Sequence, residues 1–295
     1  DYIASTTGDQ INLEVVGTNL NISTESSTAN LKTLPAEDFP LIPQIATVSQ
    51  MTLPASELRQ ALTEVAFAAA AAETQPELSG IYTYVKENKL YFVTTDRYRL
   101  VERSLSLPSS VLEGDFKAII VPLKTISEVI RITSSLPEDA TVTMAQGENQ
   151  ILFKTTDIEL VSRIIDGQFP DYQHLVPKEF TGQAIISKTD LAGALKSVSL
   201  FTSTGRTVRL NFNTEAKVIE VSAASGDIGE SKATVNGDIT GQSYEGTFNF
   251  RFLLEYLSNI SDDRVVFKVI NENSPAVLNP SERDNNFYLV MPVRS

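Results

Sequence analysis

A repeat with a period of about 130 residues runs through this sequence and limits the kind of folding unit it can build. The segment Leu53-Pro54-Ala55-Ser56-Glu57-Leu58-Arg59-Gln60-Ala61-Leu62 matches Ile186-Ser187-Lys188-Thr189-Asp190-Leu191-Ala192-Gly193-Ala194-Leu195 in its polar opening, its acidic residue and its Leu-x-x-Ala-Leu ending. Both read as helix starts, with the Ser56 and Thr189 hydroxyls placed to cap first-turn amides. Leu58, Ala61, Leu62, Val65 and Ala69 recur as Leu191, Ala194, Leu195 and Val198, so each helix carries one apolar stripe. A second amphipathic helix follows in each unit, where Ile126, Val129 and Ile132 answer to Leu254, Leu257 and Ile260. Between the helices, Glu87-Asn88-Lys89-Leu90-Tyr91-Phe92-Val93 corresponds to Glu215-Ala216-Lys217-Val218-Ile219-Glu220-Val221, a polar turn running into a strand.

Residues 118–121, 141–144, 150–155 and 159–164 read as further short strands. The unit ending Asp166-Gly167-Gln168-Phe169-Pro170 resembles Pro35-Ala36-Glu37-Asp38-Phe39-Pro40, and the strand-like 17–24 precedes 147–154 by the same period. The expected organisation is therefore the C-terminal part of a truncated first domain at 1–48, a second domain at 49–178 and a third at 179–295. The fold class is α+β, each full unit packing two amphipathic helices on antiparallel sheets.

Composition narrows the chemistry. The 295 residues contain no Cys and one His, which excludes disulfides, thiolate zinc sites and a Cys nucleophile and leaves no imidazole cluster for a metal. No cofactor or metal is expected. A net charge of -13 argues against nonspecific adhesion to nucleic acid, which is driven by Lys and Arg. No run approaches the ~20 apolar residues of a membrane span, and no charged-then-apolar leader opens the sequence.

Three separated segments carry a family resemblance: Thr94-Thr95-Asp96-Arg97-Tyr98-Arg99-Leu100, Asp166-Gly167-Gln168-Phe169-Pro170-Asp171-Tyr172 and Tyr288-Leu289-Val290-Met291-Pro292-Val293-Arg294. In this order they resemble the bacterial DNA sliding clamp, the beta subunit of DNA polymerase III. The resemblance implies repeated DNA-clamp domains, a head-to-tail homodimer closed into a ring around duplex DNA, helices lining the hole and sheets outside. It implies a cytoplasmic, nucleoid-associated processivity factor without catalysis. Partners would be duplex DNA held topologically and independently of sequence, the DNA polymerase III alpha and clamp-loader subunits, and other proteins with a clamp-binding motif. A chain with a truncated first domain would not close the ring and is expected to be monomeric.

The resemblance also places a peptide-docking pocket between the second and third domains. Its residues here are Leu78, Thr95, Arg97, Tyr98, Arg99, Leu100, Pro170, His174 and Leu175 on one side. Asn249, Phe252, Leu289, Val290, Met291, Pro292, Val293 and Arg294 stand on the other. Met291 would be the adaptable wall, and Arg99 and Asn249 would orient the peptide's polar groups. Arg97-Tyr98 stands where many clamps carry Gly or Ser before His, Gly205 where some carry Phe, and Gln75 where the family motif has Arg. On the helices, Arg59, Lys124, Arg131, Lys188, Lys196 and Arg251 are the candidate DNA-facing cations, against Glu57, Glu64, Glu128, Asp190 and Glu255.

Two other classes compete. An extracellular β-rich repeat or adhesion protein would suit the acidity, the Thr/Ser-rich strands and the lack of Cys, but the helix at each repeat start speaks against a plain β array. A carboxylate-based hydrolase would use Asp96, Asp166, Asp171 or the Asp262-Asp263 pair, but Asp96 opens a turn, Asp166-Gly167 is turn chemistry, and Asp262-Asp263 follows a helix before a strand. No Gly-rich phosphate loop ending in Gly-Lys-Ser/Thr is present.

Overall fold

The computed structural model describes residues 2–6, 10–38, 45–71, 75–202 and 205–293. Phe39, Pro40 and Arg294 lie outside the described residues. The chain divides into two compact units, residues 1–44 and 45–295.

The first unit has a single helical turn, α1 (Tyr2–Ser5), and an antiparallel sheet of β1 (Asn12–Val16), β2 (Asn19–Ser23) and β3 (Thr28–Lys32). Ile22 is its one buried hydrophobic residue among those described.

The larger unit repeats one motif four times, a strand running straight into a helix and followed by strands. The four pairs are β4 (Ser49–Pro54) with α2 (Ala55–Ala66), β9 (Ile119–Pro122) with α3 (Leu123–Ser134), β13 (Gly182–Ser187) with α4 (Lys188–Ser199), and β17 (Tyr244–Asn249) with α5 (Phe250–Asn259). The expected helices are present, but two caps differ from expectation. Neither Ser56 nor Thr189 caps: α2 starts after Pro54 without a side-chain cap, and α4 is capped by Ser187, whose Oγ accepts from Asp190 N at 3.2 Å. The strand passes directly into the first turn, so each helix begins earlier than a connecting loop would allow. Pro54 and Pro122 suit such junctions because the fixed φ of proline fits both strand end and helix entry.

The remaining strands are β5 (Gly80–Lys86), β6 (Lys89–Thr95), β7 (Arg99–Ser106), β8 (Leu112–Gly114), β10 (Thr141–Gln146), β11 (Gln150–Lys154), β12 (Glu159–Arg163), β14 (Thr207–Asn213), β15 (Val218–Ser225), β16 (Gly229–Gly241), β18 (Arg264–Val269), β19 (Ala276–Pro280) and β20 (Asn286–Val290). The two turn-and-strand segments at 87–93 and 215–221 belong to the hairpins β5–β6 and β14–β15. Their turns differ. Glu87 and Asn88 are both left-handed in a two-residue turn, whereas Asn213 Oδ1 closes the longer second turn by accepting from Glu215 N and Ala216 N.

One antiparallel sheet has the order β12-β11-β10-β4-β8. The other runs through twelve strands, β17-β14-β15-β16-β13-β18-β19-β20-β7-β6-β5-β9, and so joins the two repeats into one surface. The helices touch in the order α3, α2, α5, α4 and cover the sheets with Leu58, Leu62, Ile126, Leu191, Leu195 and Leu257. At ~25 cal/mol per Å² of buried apolar surface, this layer is the main source of stability. Among the described residues, no helix is long and apolar enough to cross a membrane.

Candidate functional site

The two halves of the candidate site come together by strand pairing. β7 runs antiparallel to β20 with Arg99 opposite Val290, Leu100 opposite Leu289 and Val101 opposite Tyr288. Beyond the ladder, Met291 N donates to Tyr98 O at 2.8 Å, and the tail continues until Val293 N donates to Thr247 O on β17 at 2.8 Å. The two sequence motifs that flank this seam, at 94–100 and 288–294, are thereby neighbours, although nearly two hundred residues separate them.

The pleat sends alternate residues of the seam to opposite faces. Leu100 and Leu289 point outward, joining Leu78, Val93, Ile120, Phe169 and Tyr172 in a cluster distinct from the helix-side core. Phe169 and Tyr172 belong to the connector between the repeats, which is folded onto this face. Phe169 stacks on Tyr82 at 4.8 Å between ring centres. Tyr172 donates its hydroxyl hydrogen to the Glu102 carboxylate and lies 2.8 Å from the Tyr84 hydroxyl. Burial raises the pKa of both Glu102 and Tyr172, and the neighbouring carboxylate pushes Tyr172 further up. The tyrosine thus stays a neutral donor.

Around this cluster, four large apolar side chains face solvent: Tyr98 is 65% exposed, Leu175 51%, Val293 40% and Met291 36%. They stand on the β6–β7 turn, the connector and the tail, the three segments that meet here. Pro170 is exposed and Pro292 half-buried. His174 is exposed, its Nδ1 3.6 Å from Asp171 Oδ2. The turn is held by side chains: Asp96 Oδ1 accepts from Tyr98 N and Arg99 N, each at 3.0 Å, and Thr95 Oγ1 accepts from Arg97 N and donates to Arg99 O. Arg97 is left at φ +75° with its side chain exposed.

Other expected pocket residues serve the helix side. Arg99 is buried, donating to Asp96 at 2.9 Å, to the Glu255 carboxylate and to Phe67 O at 3.2 Å, with its guanidinium 4.4 Å from the centre of the Phe252 ring. Its donors are spent inside the protein rather than offered to a ligand. Asn249 caps α5, its Oδ1 accepting from Arg251 N at 3.0 Å. Val290 is fully buried, and Tyr288 beside it donates to Phe252 O at 2.9 Å.

Behind the seam lies a charge cluster that the sequence reading does not anticipate. Glu64 on α2 is 1% exposed and accepts from Arg283 at 2.8 and 3.0 Å and from Asn286 Nδ2 at 3.1 Å. Arg103 Nε sits 2.9 Å from Glu64 Oε2 as a charge contact without hydrogen-bond alignment. Arg283 also grips Asp262. A signal for it exists in β7, where Arg103 alternates with the inward Val101 and Leu105, because a buried arginine needs a buried acid.

The helix layer carries the other set of candidates. Lys124, Arg131, Lys196 and Arg251 are exposed, while Arg59 is half-buried. Lys188 Nζ donates to Ile260 O at 3.0 Å and Ser261 O at 3.5 Å, tying the start of α4 to the end of α5. Three of the acids that oppose these cations are paired: Glu64 with Arg103 and Arg283, Glu255 with Arg99, and Glu128 with Arg131 at 2.8 Å. Glu57 and Asp190 remain exposed on the layer. Among the described residues, no group of three or more His, Cys, Asp or Glu side chains could hold a metal ion.

Comparison with known proteins gives a consistent result. Residues 52–171 match the family model for the DNA polymerase III beta subunit, central domain, and residues 173–294 match that for its C-terminal domain. The chain is 30% identical to the beta sliding clamp of Staphylococcus aureus over 93% of its own length and 72% of the relative's. The corresponding Staphylococcus epidermidis protein is 29% identical over the same shares. Among solved structures, a Pseudomonas aeruginosa DNA polymerase sliding clamp with ligand superposes with a TM-score of 0.88 at 27% identity, covering 100% of this chain and 79% of that one. A Pseudomonas aeruginosa clamp bound to griselimycin gives 0.89 at 26%, again covering 100% and 79%.

Proposed function

Because this chain belongs to the DNA polymerase III beta subunit family, the bacterial beta sliding clamps, we propose that its β7–β20 seam is the docking site through which polymerase and other DNA-handling proteins are held. The role that goes with the family is that of a DNA polymerase processivity factor, acting in DNA replication. We assign residues 1–48, 49–178 and 179–295 to successive clamp domains, the helix layer to the side facing duplex DNA, and the outer face of the seam to protein partners. No step of this role requires catalysis, and its place is the bacterial cytoplasm.

The pairing of β7 with β20 carries the docking proposal, because it joins the exposed Tyr98 and Met291 at the end of a seam whose outward face holds Leu100 and Leu289, with Val293 following toward β17. A few exposed apolar residues on a fixed sheet suit a short peptide offering Leu and Phe anchors. The polymerase III alpha subunit, the clamp loader and other clamp-binding-motif proteins are the expected partners. On the helix side, Glu64 and Glu255 are paired with arginines of the seam and Glu128 with Arg131, which leaves Lys124, Lys196 and Arg251 exposed beside Glu57 and Asp190, a slight excess of cations on an otherwise acidic chain. Such a surface neutralises duplex phosphates weakly and without reading sequence, as sliding requires.

The test is fluorescence anisotropy with a labelled Gln-Leu-x-Leu-Phe peptide. Micromolar binding, about -8 kcal/mol, is expected, and Met291→Ala and Leu175→Ala should each weaken it about fivefold by removing apolar surface that the peptide would cover. A folded protein that binds no such peptide, or variants that bind as well as the parent, would remove the docking site from this seam.

A further inference from the structure

Two arginines beside the seam occupy a backbone region that glycine enters freely and a Cβ disfavours. Arg97, in the β6–β7 turn, has φ +75°, and Arg206, just before β14, has φ +52°. Each belongs to a different wall. Tyr98 O, next to Arg97, receives Met291 N, while Arg206 O receives Phe250 N, next to Asn249. The walls are bridged by the tail: an open groove of ≈ 830 Å³ is lined by Gly205, Thr207, Arg209, Thr247 and Val293.

Both side chains are exposed, and among the described residues neither guanidinium has an ion-pair or hydrogen-bond partner. Among the described residues, the other left-handed ones bearing side chains are Glu87, Asn88 and Lys217, which lie in the β5–β6 and β14–β15 hairpin turns. Arginine at 97 and 206 therefore contributes neither an internal contact nor the easiest backbone. An observed backbone outlier at a binding rim is a reason to look for a ligand. Asp96 and Glu255 are taken by Arg99 and Glu245 by Arg209 at 3.3 Å, whereas Glu230, on the same groove, is exposed and has no ion pair among the described residues. Asp171 lies against His174 on the connector.

We propose that Arg97 and Arg206 are rim cations that select docked peptides carrying acidic residues beside their apolar anchors. The proposal rests on the docking reading of the seam. A chain of net charge -13 repels an acidic segment at long range. Attraction must therefore be local, acting within the screening length of about 8 Å at physiological salt. Two unpaired guanidiniums on opposite walls supply it where the peptide's ends leave the apolar surface.

The test uses two labelled peptides of the Gln-Leu-x-Leu-Phe type, one flanked by Asp and one by Ser, titrated by anisotropy against the full chain and against Arg97→Gln, Arg206→Gln and the double variant. The acidic peptide should bind about three- to tenfold more tightly to the parent in low salt, the size of one or two exposed ion pairs. That ratio should fall toward one in about 0.5 M salt and in the double variant, whatever happens to the absolute affinities. Equal binding of the two peptides to the parent, or a preference that survives in the double variant, overturns the inference while leaving docking intact. Failure of both peptides to bind overturns docking itself, and the rim selection with it.

Discussion

The two faces of the β7–β20 seam are made by neighbouring residues of the same strands, yet they are opposite in chemistry. Inward, Arg99 and Arg103 meet Glu255, Glu64 and Arg283 in a lattice of charges that is dry at Glu64 and opens to solvent at Glu255. Outward, Leu100 and Leu289 sit under aromatic rings and exposed apolar side chains. A buried charge lattice is directional and tolerates one geometry, so it fixes the angle between the repeats. An apolar face is non-directional and accepts different partners, with Met291 the most adaptable element of it. The seam thus combines a rigid hinge side with a permissive docking side.

The largest effect should come from breaking the rigid side. Glu64→Ala removes the acid between Arg103 and Arg283 and leaves two cations facing each other in a buried site. A loss of about 3–5 kcal/mol is expected, read as a lower urea midpoint. A loss below about 1 kcal/mol would mean that water reaches the lattice and that it behaves as a surface ion pair. Arg99→Lys should cost less, about 1–2 kcal/mol, because the charge remains while the planar fork joining Asp96, Glu255 and Phe67 O is lost. If the apolar face depends on the angle that Arg99 helps to fix, peptide affinity should fall in this variant even though Arg99 points the other way.

These two faces are unequally legible in the sequence. The helices, hairpins and three motifs can be placed because each is local: a stripe at Leu58, Ala61 and Leu62, or a strand after Asn88, needs no distant partner. The lattice is not local. Glu64 meets residues 219 and 222 positions away, and as one acid on an amphipathic helix it reads as part of a solvated face. Arg99 is expected at the ligand for a related reason, since its strand parity depends on the turn at Asp96, which the pattern alone does not fix. The caps are misplaced because β4 and β13 enter their helices with no connecting loop, so that α2 follows Pro54 directly and α4 is capped by Ser187.

The connector offers a prediction that reads pH. Glu102 has its pKa raised by burial, so the folded state holds that proton to a higher pH than the unfolded chain does. Its contribution to stability is therefore intact below the unfolded value near 4.5 and is lost as pH rises through the folded value. Glu102→Gln does not titrate but still accepts from Tyr172. The variant should gain stability relative to the parent between about pH 4 and pH 8, measured as the gap between their urea midpoints. A gap that stays constant across that range would show that the hydrogen bond from Tyr172 offsets the burial of the carboxylate.

The smallest effect expected separates the docking side from folding altogether. Arg97→Gly places the residue best suited to φ +75° in the β6–β7 turn. Relief of the left-handed strain is worth about 1–2 kcal/mol, and the added freedom of glycine in the unfolded chain takes back about 0.4–1 kcal/mol. A net gain of roughly 0.5 kcal/mol should follow. No ion pair is sacrificed, because the Arg97 guanidinium forms none among the described residues. If the arginine is kept for its ligand, this more stable variant should discriminate less between acidic and neutral peptides. Should stability fall instead, the Arg97 side chain supports the turn itself, and its unusual backbone would need no ligand to explain it.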